Sequence, residues 1–393
     1  MRKLRSVVLI LDHWHVDLGG RKKILILVID VLSYIFKRVI ILDIETRIEQ
    51  KDISLNTSQD SLPENVRLET FFLKKKSPRS YFSVMGAMLR RIKEEDPTYA
   101  VVGGAGPHTN AIFSAVFHRA ASSRKVIAIE QGNDIQILSN QSFLIRLITQ
   151  VLFRKIDRVV VVSKEMAERF PSFFHMEREK FVPIYNFIDV AMAQKLANED
   201  VTEEVFKFGR EIITTVCRID LRQKDLLSLV RAFGLIKKQR GNIALTIIGD
   251  GPDMNILKNF VKSKKLEKDI FFLGYQKNPY KYMRRSDVFV LSSFNEGLPL
   301  VVLEAMACGC PIISSDCDFG PREILENGKD GILVPVGDVD ALSSALLKML
   351  SNKKLRDEYV QKGNERAKDF SMEKTSNEYE IMFKKALNSN IDL

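Results

Sequence analysis

The sequence predicts an α/β protein made of two parallel, doubly wound sheets, and two observations carry that prediction. Short apolar runs alternate with longer amphipathic ones along most of the chain, as expected when each strand is followed by a crossover helix. The chain is also 393 residues long and 45% hydrophobic, enough to bury two cores rather than one.

In the second half, strands are expected near 211–217, 243–248, 270–273, 287–291, 311–314 and 331–334, with helices between them. The first half repeats the pattern more loosely, with strands near 6–11, 39–43, 99–102, 125–130 and 158–162. This order places a first domain over 1–190 and a linker over 191–208, where Asn198, Glu199, Asp200, Glu203 and Glu204 interrupt the apolar periodicity. A second domain follows over 209–355, then a charged helical tail over 356–393. Arg2, Lys3 and Arg5 ahead of the apolar residues 7–11 imitate a secretory leader, but that run is short and no small-residue cleavage site follows. It is read as the first strand. The longest apolar stretch, 24–36, is broken by Asp30 and falls short of a bilayer's thickness.

Net charge is +10 and unevenly spread: residues 1–200 hold 30 Lys and Arg against 23 Asp and Glu, which accounts for +7 of it. Clusters fall at Lys74, Lys75, Lys76 and Arg79, at Arg90, Arg91 and Lys93, and at Arg146, Arg154, Lys155 and Arg158. Around Arg146 lie Phe143, Leu144, Ile145, Leu147, Ile148 and Val151, an amphipathic stretch with two readings. It suits an anionic membrane surface, and equally a core-facing helix with solvated charges. No nucleic-acid recognition module accompanies the positive charge, so nucleic acid is not an expected partner. The four cysteines, Cys217, Cys308, Cys310 and Cys317, form no C-x2-C pair and are read as reduced thiols. A zinc site would need His ligands that this region lacks.

Chemistry concentrates at two carboxylates. Pro299 suits a first helical position and Gly309 the position just past a helix end, so the residues between them read as a buried helix whose one charge is Glu304. A lone buried carboxylate needs a polar partner: an Arg or backbone amides in the core, or a ligand diol such as a ribose. Glu296 precedes the N–H groups of Gly297 and Leu298 at the helix entrance, where an anion can bind. It would then reach ligand hydroxyls, or simply stabilise the positive helix end. Upstream, Arg218 follows a strand and Lys224 precedes a helix start, where a cation calls for something negative nearby. Together they suit a pyrophosphate; separately they are solvated surface charges.

These residues carry a resemblance. Arg218, Lys224, Gly249-Asp250-Gly251-Pro252, Phe272-Leu273-Gly274-Tyr275, Ser286-Asp287-Val288, the stretch from Glu296 to Glu304, and Gly331-Ile332-Leu333-Val334-Pro335 fall in order and at the spacing of the retaining glycosyltransferases of family 4. The chain resembles that family strongly over 210–350 and weakly over its first 200 residues. The resemblance implies the GT-B fold, two Rossmann-like domains facing a cleft, with the tail over 356–393 crossing back toward the first domain. It implies a retaining, metal-independent hexosyltransferase that needs no cofactor and works in the cytoplasm or on the inner face of the membrane. The donor would be a UDP-hexose or UDP-N-acetylhexosamine, and the acceptor a lipid-linked saccharide or a surface polysaccharide precursor.

By the same resemblance Arg218 and Lys224 hold the donor phosphates, Glu296 the transferred sugar and Glu304 the ribose. The turn of Gly297, Leu298, Pro299 and Leu300 offers amides to the sugar and diphosphate. Gly249 belongs to the donor pocket, Phe272, Leu273 and Tyr275 border the base, and Gly19 and Gly20 approach the donor phosphates. On the acceptor side stand Gln131 and His108. Two departures stand out. The run after Gly20, residues 21–29, is rich in β-branched residues and reads as a strand where the family has a helix. Many members also carry a His after a first-domain strand, where this chain has Gln131, leaving His13, His15 or His108 as candidate catalytic histidines. A glycoside hydrolase would want two carboxylates but not Arg218 and Lys224. A catalytically inactive homologue, acting as a partner subunit, is the alternative that Gln131 leaves open.

Overall fold

The structure, a computed structural model, describes residues 4–12, 20–46, 62–73, 78–95, 97, 99–103, 107–120, 125–207 and 209–388. It divides into two units, Met1–Tyr185 with Thr375–Leu393, and Asn186–Lys374.

The first unit is built on a parallel sheet of β1 (Leu4–Asp12), β2 (Phe36–Thr46), β3 (Val66–Leu73), β4 (Tyr99–Gly103), β5 (Lys125–Glu130), β6 (Arg158–Val161) and β7 (Phe181–Pro183). Among the described residues its order is β3-β2-β1-β4-β5-β6-β7. Val7, Val8, Leu9 and Ile10 in β1, and Val39, Ile40, Ile41 and Leu42 in β2, are fully buried, which explains why these strands read as unbroken apolar runs. The edge strands β3 and β7 escaped the sequence reading for a physical reason. β3 alternates apolar residues with Arg67 and Glu69, and β7 has three residues, so neither forms an apolar run.

Residues 20–35 correct the sequence reading: they form the helix Gly20–Ile35, not a strand. Leu25, Val28, Ile29, Leu32 and Ile35 are buried at i, i+3, i+4, i+7 and i+10, while Ile26 and Asp30 are exposed. Burial of one helical face outweighs the weaker helix propensity of Ile and Val.

The second unit carries β8 (Glu211–Val216), β9 (Ile243–Ile248), β10 (Ile270–Gly274), β11 (Val288–Leu291), β12 (Ile312–Ser315) and β13 (Ile332–Val334), each within one residue of its expected position. They pair in parallel in the order β10-β9-β8-β11-β12-β13. The core forms where Ile213, Leu245 and Ile247 meet Phe233 of the helix Leu226–Lys237 and Leu346 of the helix Val339–Ser351, all fully buried.

The expected linker is revised. The span 191–208 is no loose linker: it contains most of the helix Val190–Ala197 and a 3-10 turn, Glu204–Phe206, and belongs to the second unit. The tail divides. The helix Lys353–Lys368 lies on the helix Leu300–Ala307, with Gly363 against Met306, whereas residues from Thr375 onward belong to the first unit. There Tyr379 and Phe383 are buried, Phe383 edge-on to Phe36 at 6.5 Å. No helix among the described residues is long and apolar enough to cross a membrane.

Candidate functional site

In the second sheet the strand order reverses direction between β8 and β11, so the loops leaving their carboxyl ends diverge and open a crevice. Lys224 lies in the segment after β8 and Glu296 in the segment after β11. An isolated antiparallel bridge between Lys224 and Ser293 ties the two segments together. Further clamps are the bonds from Asp225 N to Ser292 O (3.0 Å) and from Phe294 N to Gln223 O (2.8 Å).

Lys224 Nζ donates to Glu296 Oε1, and both side chains are about nine-tenths buried. Ser293 Oγ donates to the same oxygen at 2.7 Å, and among the described residues no donor reaches Oε2. The negative partner that a cation before a helix start calls for is therefore Glu296. Burial alone would pull the Lys224 ammonium down. The Glu296 carboxylate outweighs it and holds Lys224 above its ordinary value, so it stays charged. Cys217 and Cys317 flank the pair, and burial pushes their thiols up to about 11 and about 12. Both stay protonated near neutral pH and contribute no negative charge there.

Glu296 enters the turn of Gly297, Leu298 and Pro299, all buried, which leads into the helix Leu300–Ala307. Pro299 is the N-cap and not, as expected, the first helical residue; its backbone stays extended (φ −73°, ψ 98°) while its carbonyl accepts from Val302 N at 3.0 Å. Gly309, at φ +73°, sits just past the far end as expected. Gly309 N bonds Met306 O and Cys310 N bonds Ala305 O, closing a Schellman cap. Gly320 underlies the turn: a Cβ there would meet Gly297 O at 2.5 Å and Pro299 Cδ at 2.7 Å. Only glycine allows that approach. Glu304 is half-buried and accepts from the Tyr280 hydroxyl at 3.0 Å. A tyrosine is thus among its polar partners, which sequence spacing gave no means of finding. Gly320 did carry a signal, the Gly320-Pro321 turn dipeptide.

Arg218 is exposed, and among the described residues it forms no ion pair; nearby Asp220 is engaged by Arg222 through bonds of 3.0 and 2.9 Å. Gly249, at the end of β9, has φ +129°, and a Cβ there would lie 1.9 Å from Cys217 O. It is glycine because two backbones meet. Phe272 packs against the hydrophobic core beneath Lys258, Leu273 is half-buried, and Tyr275 is exposed. Among the described residues no three His, Cys, Asp or Glu side chains gather as a metal cluster.

In the first unit the reversal of strand order lies between β1 and β4. The segments that follow them include 13–19 and 104–106, so Gly19, His13 and His15 lie outside the described residues. Gly20 opens the helix Gly20–Ile35 and His108 is the second residue of the helix Pro107–Ala120. Gln131 leaves the carboxyl end of β5 half-buried, next to the fully buried Glu130, which accepts from Asn110 Nδ2 at 2.7 Å.

Two family models match the chain: "Glycosyl transferases group 1" over residues 198–366 and "Glycosyltransferase Family 4" over residues 52–192. An uncharacterized glycosyltransferase of Methanocaldococcus jannaschii is 29% identical over 297 residues, covering 67% of this chain and 73% of that protein. The N-acetylgalactosamine-N,N'-diacetylbacillosaminyl-diphospho-undecaprenol 4-alpha-N-acetylgalactosaminyltransferase of Campylobacter jejuni is 31% identical over 229 residues, covering 58% of this chain and 60% of that one. Among solved structures, a glycosyltransferase from Rickettsia africae superposes with a TM-score of 0.77 at 17% identity over 98% of this chain and 99% of its own. HepE of Anabaena, in complex with UDP, gives 0.74 at 16% over 97% and 99%. At such identities the structural likeness speaks to the fold.

Proposed function

The chain belongs to the group 1, family 4 glycosyltransferases with two Rossmann-like GT-B domains, and from that membership we propose that it is a retaining hexosyltransferase that needs no metal. Its donor is a UDP-hexose or UDP-N-acetylhexosamine. Its acceptor is a lipid-linked saccharide or surface polysaccharide precursor, met in the cytoplasm or at the inner face of the membrane. UDP bound to HepE, and the diphospho-undecaprenol in the name of the Campylobacter relative, support these classes.

The observation that carries the reading is the buried Lys224–Glu296 pair at the strand-order reversal, with exposed Arg218 at the end of β8. In this reading the donor diphosphate lies against Arg218 and the amides of Gly297, Leu298 and Leu300, and Lys224 is shared between Glu296 and the phosphate. Glu296 Oε2 accepts from hydroxyls of the sugar, and Glu304, steadied by Tyr280, accepts from the ribose diol. Gly249, Phe272, Leu273 and Tyr275 border the nucleotide. The bond from the anomeric carbon to the phosphate oxygen breaks, the acceptor oxygen bonds that carbon on the same face, and its proton passes to the departing phosphate. Two cations and a helix start stabilise the growing negative charge, which is the task a metal would otherwise perform.

A thermal-shift panel of UDP, GDP, ADP and CDP with a chelator present tests this, since a ligand at 100 times its Kd stabilises by about 2.7 kcal/mol. A shift with UDP that Arg218→Ala abolishes supports the reading; a shift with GDP alone moves the donor class. Gln131, where many relatives carry His, favours a second reading, a catalytically inactive partner subunit. Transfer of sugar that is lost in Glu296→Ala excludes it.

A further inference from the structure

The helix Phe143–Phe153 is turned inside out. Its buried residues are Thr149 and Phe153, whereas Phe143, Leu144, Ile145, Leu147, Ile148 and Val151 are between 43% and 69% exposed. On an ordinary surface helix such residues face the core. Here they cover the outer side, and Ile137 on the preceding short helix and Ile112 on the helix Pro107–Ala120, against which this one packs, are exposed as well. The helix is nonetheless held in place: Gln150 Nε2 bonds Phe173 O at 2.6 Å, and Phe153 stacks on Phe174 with ring centroids 4.0 Å apart. The apolar face is therefore presented by a fixed scaffold, the condition under which an exposed patch marks an interaction site.

Charge identifies what covers it. From residue 135 to residue 156 the chain has no Asp or Glu, and it has Arg146, Arg154 and Lys155. Arg154 and Lys155 are exposed, and the Arg146 guanidinium lies 5.8 Å from the centre of the Phe143 ring. Large apolar side chains on a stretch whose charged residues are all cations complement a bilayer surface that offers acyl chains beneath anionic headgroups.

We propose that the helix Phe143–Phe153 docks the protein on an anionic lipid surface, lying in the plane of the interface with Phe143, Leu144, Leu147, Ile148 and Val151 among the headgroups and upper acyl chains. The inference deepens the lipid-linked acceptor reading and rests on it for its purpose: docking brings the first unit to the layer in which such an acceptor lies. The surface itself stands on exposure and charge alone.

Sedimentation of the full chain with vesicles of phosphatidylcholine, and of phosphatidylcholine mixed equally with phosphatidylglycerol, tests it. The expected result is salt-sensitive binding to the mixed vesicles. It should fall at least tenfold in Leu144→Glu/Ile148→Glu, while circular dichroism and the UDP-induced thermal shift are retained. Arg154→Ala/Lys155→Ala should lower binding to the mixed vesicles by roughly fivefold per residue and leave binding to neutral vesicles unchanged. Absence of vesicle binding by the native chain, or binding undiminished in Leu144→Glu/Ile148→Glu, overturns the proposal. So does a dimer in light scattering that this variant dissociates, since a second copy would then cover the face. Vesicle binding without any nucleotide shift would sink the donor reading and leave the docking surface standing.

Discussion

Replacing Glu296 by alanine leaves the Lys224 ammonium in place, its side chain 10% exposed, with its counter-charge gone. Removing one member of a buried pair costs about 3–5 kcal/mol, because an uncompensated charge remains. For a unit of this size each kcal/mol lowers Tm by about 2–4 °C, so Glu296→Ala should melt between about 6 and 20 °C below the native chain. Taking away the second charge as well, in Lys224→Met/Glu296→Ala, removes the stranded ammonium and should restore at least about half of the loss. The effect also has a pH signature. In the native chain Lys224 is held above its ordinary 10.5, so the pair's contribution is complete below pH 10.5 and fades as pH rises through the folded value. The gap between native and Glu296→Ala should therefore narrow in strong alkali. Differential scanning calorimetry of the native chain, Glu296→Ala and the double variant, near neutrality and above pH 10.5, measures all of this. A Glu296→Ala shift under about 2 °C, or a double variant melting no higher than Glu296→Ala, would refute the reasoning.

Tyr280→Phe removes the hydroxyl that holds Glu304 at 3.0 Å, a hydrogen bond of about 1 kcal/mol, and should weaken UDP binding about fivefold by isothermal titration calorimetry. Gly249→Ala places a methyl group 1.9 Å from Cys217 O at φ +129°; a loss of more than about 4 kcal/mol, or failure to fold, is expected by urea denaturation. Burial pushes the Cys217 thiol from 9.0 up to about 11, so the folded chain keeps a proton that the unfolded chain releases. Stability from this source is complete below pH 9.0 and falls as pH rises towards about 11; denaturation midpoints across that window should decline, and the decline should lessen in Cys217→Ser. The buried thiols of Cys308, Cys310 and Cys317, all pushed up by burial, should react with a disulfide reagent at pH 8, counted photometrically, more than about tenfold slower than in the unfolded chain.

How much of this was legible in the sequence depends on whether the deciding contact was local. The strands of the second unit are legible within one residue because most are buried and bounded by helices, so each is a short run that carries no charge after its first residue. Glu296, Lys224 and Arg218 were found from their places at strand ends and helix starts, but the Lys224–Glu296 bond joins residues 72 positions apart and exists only because β11 lies beside β8. Tyr280 and Glu304 present the same difficulty across 24 positions. The helix Gly20–Ile35 reads as a strand when β-branched composition is weighed above spacing, although 25, 28, 29, 32 and 35 trace one helical face. The helix Phe143–Phe153 marks a different boundary. Apolar and basic residues at helical spacing fit a core-facing helix and an outward-facing one equally well, since periodicity reveals that a face exists without saying which way it points. What decides between them is what the rest of the unit packs against, and here it takes in Thr149 and Phe153 and leaves Phe143, Leu144 and Ile148 outside. A helix whose buried face is its poorer apolar face has been placed by its neighbours, and its outward surface is the feature of the first unit that composition could pose as a question but not answer.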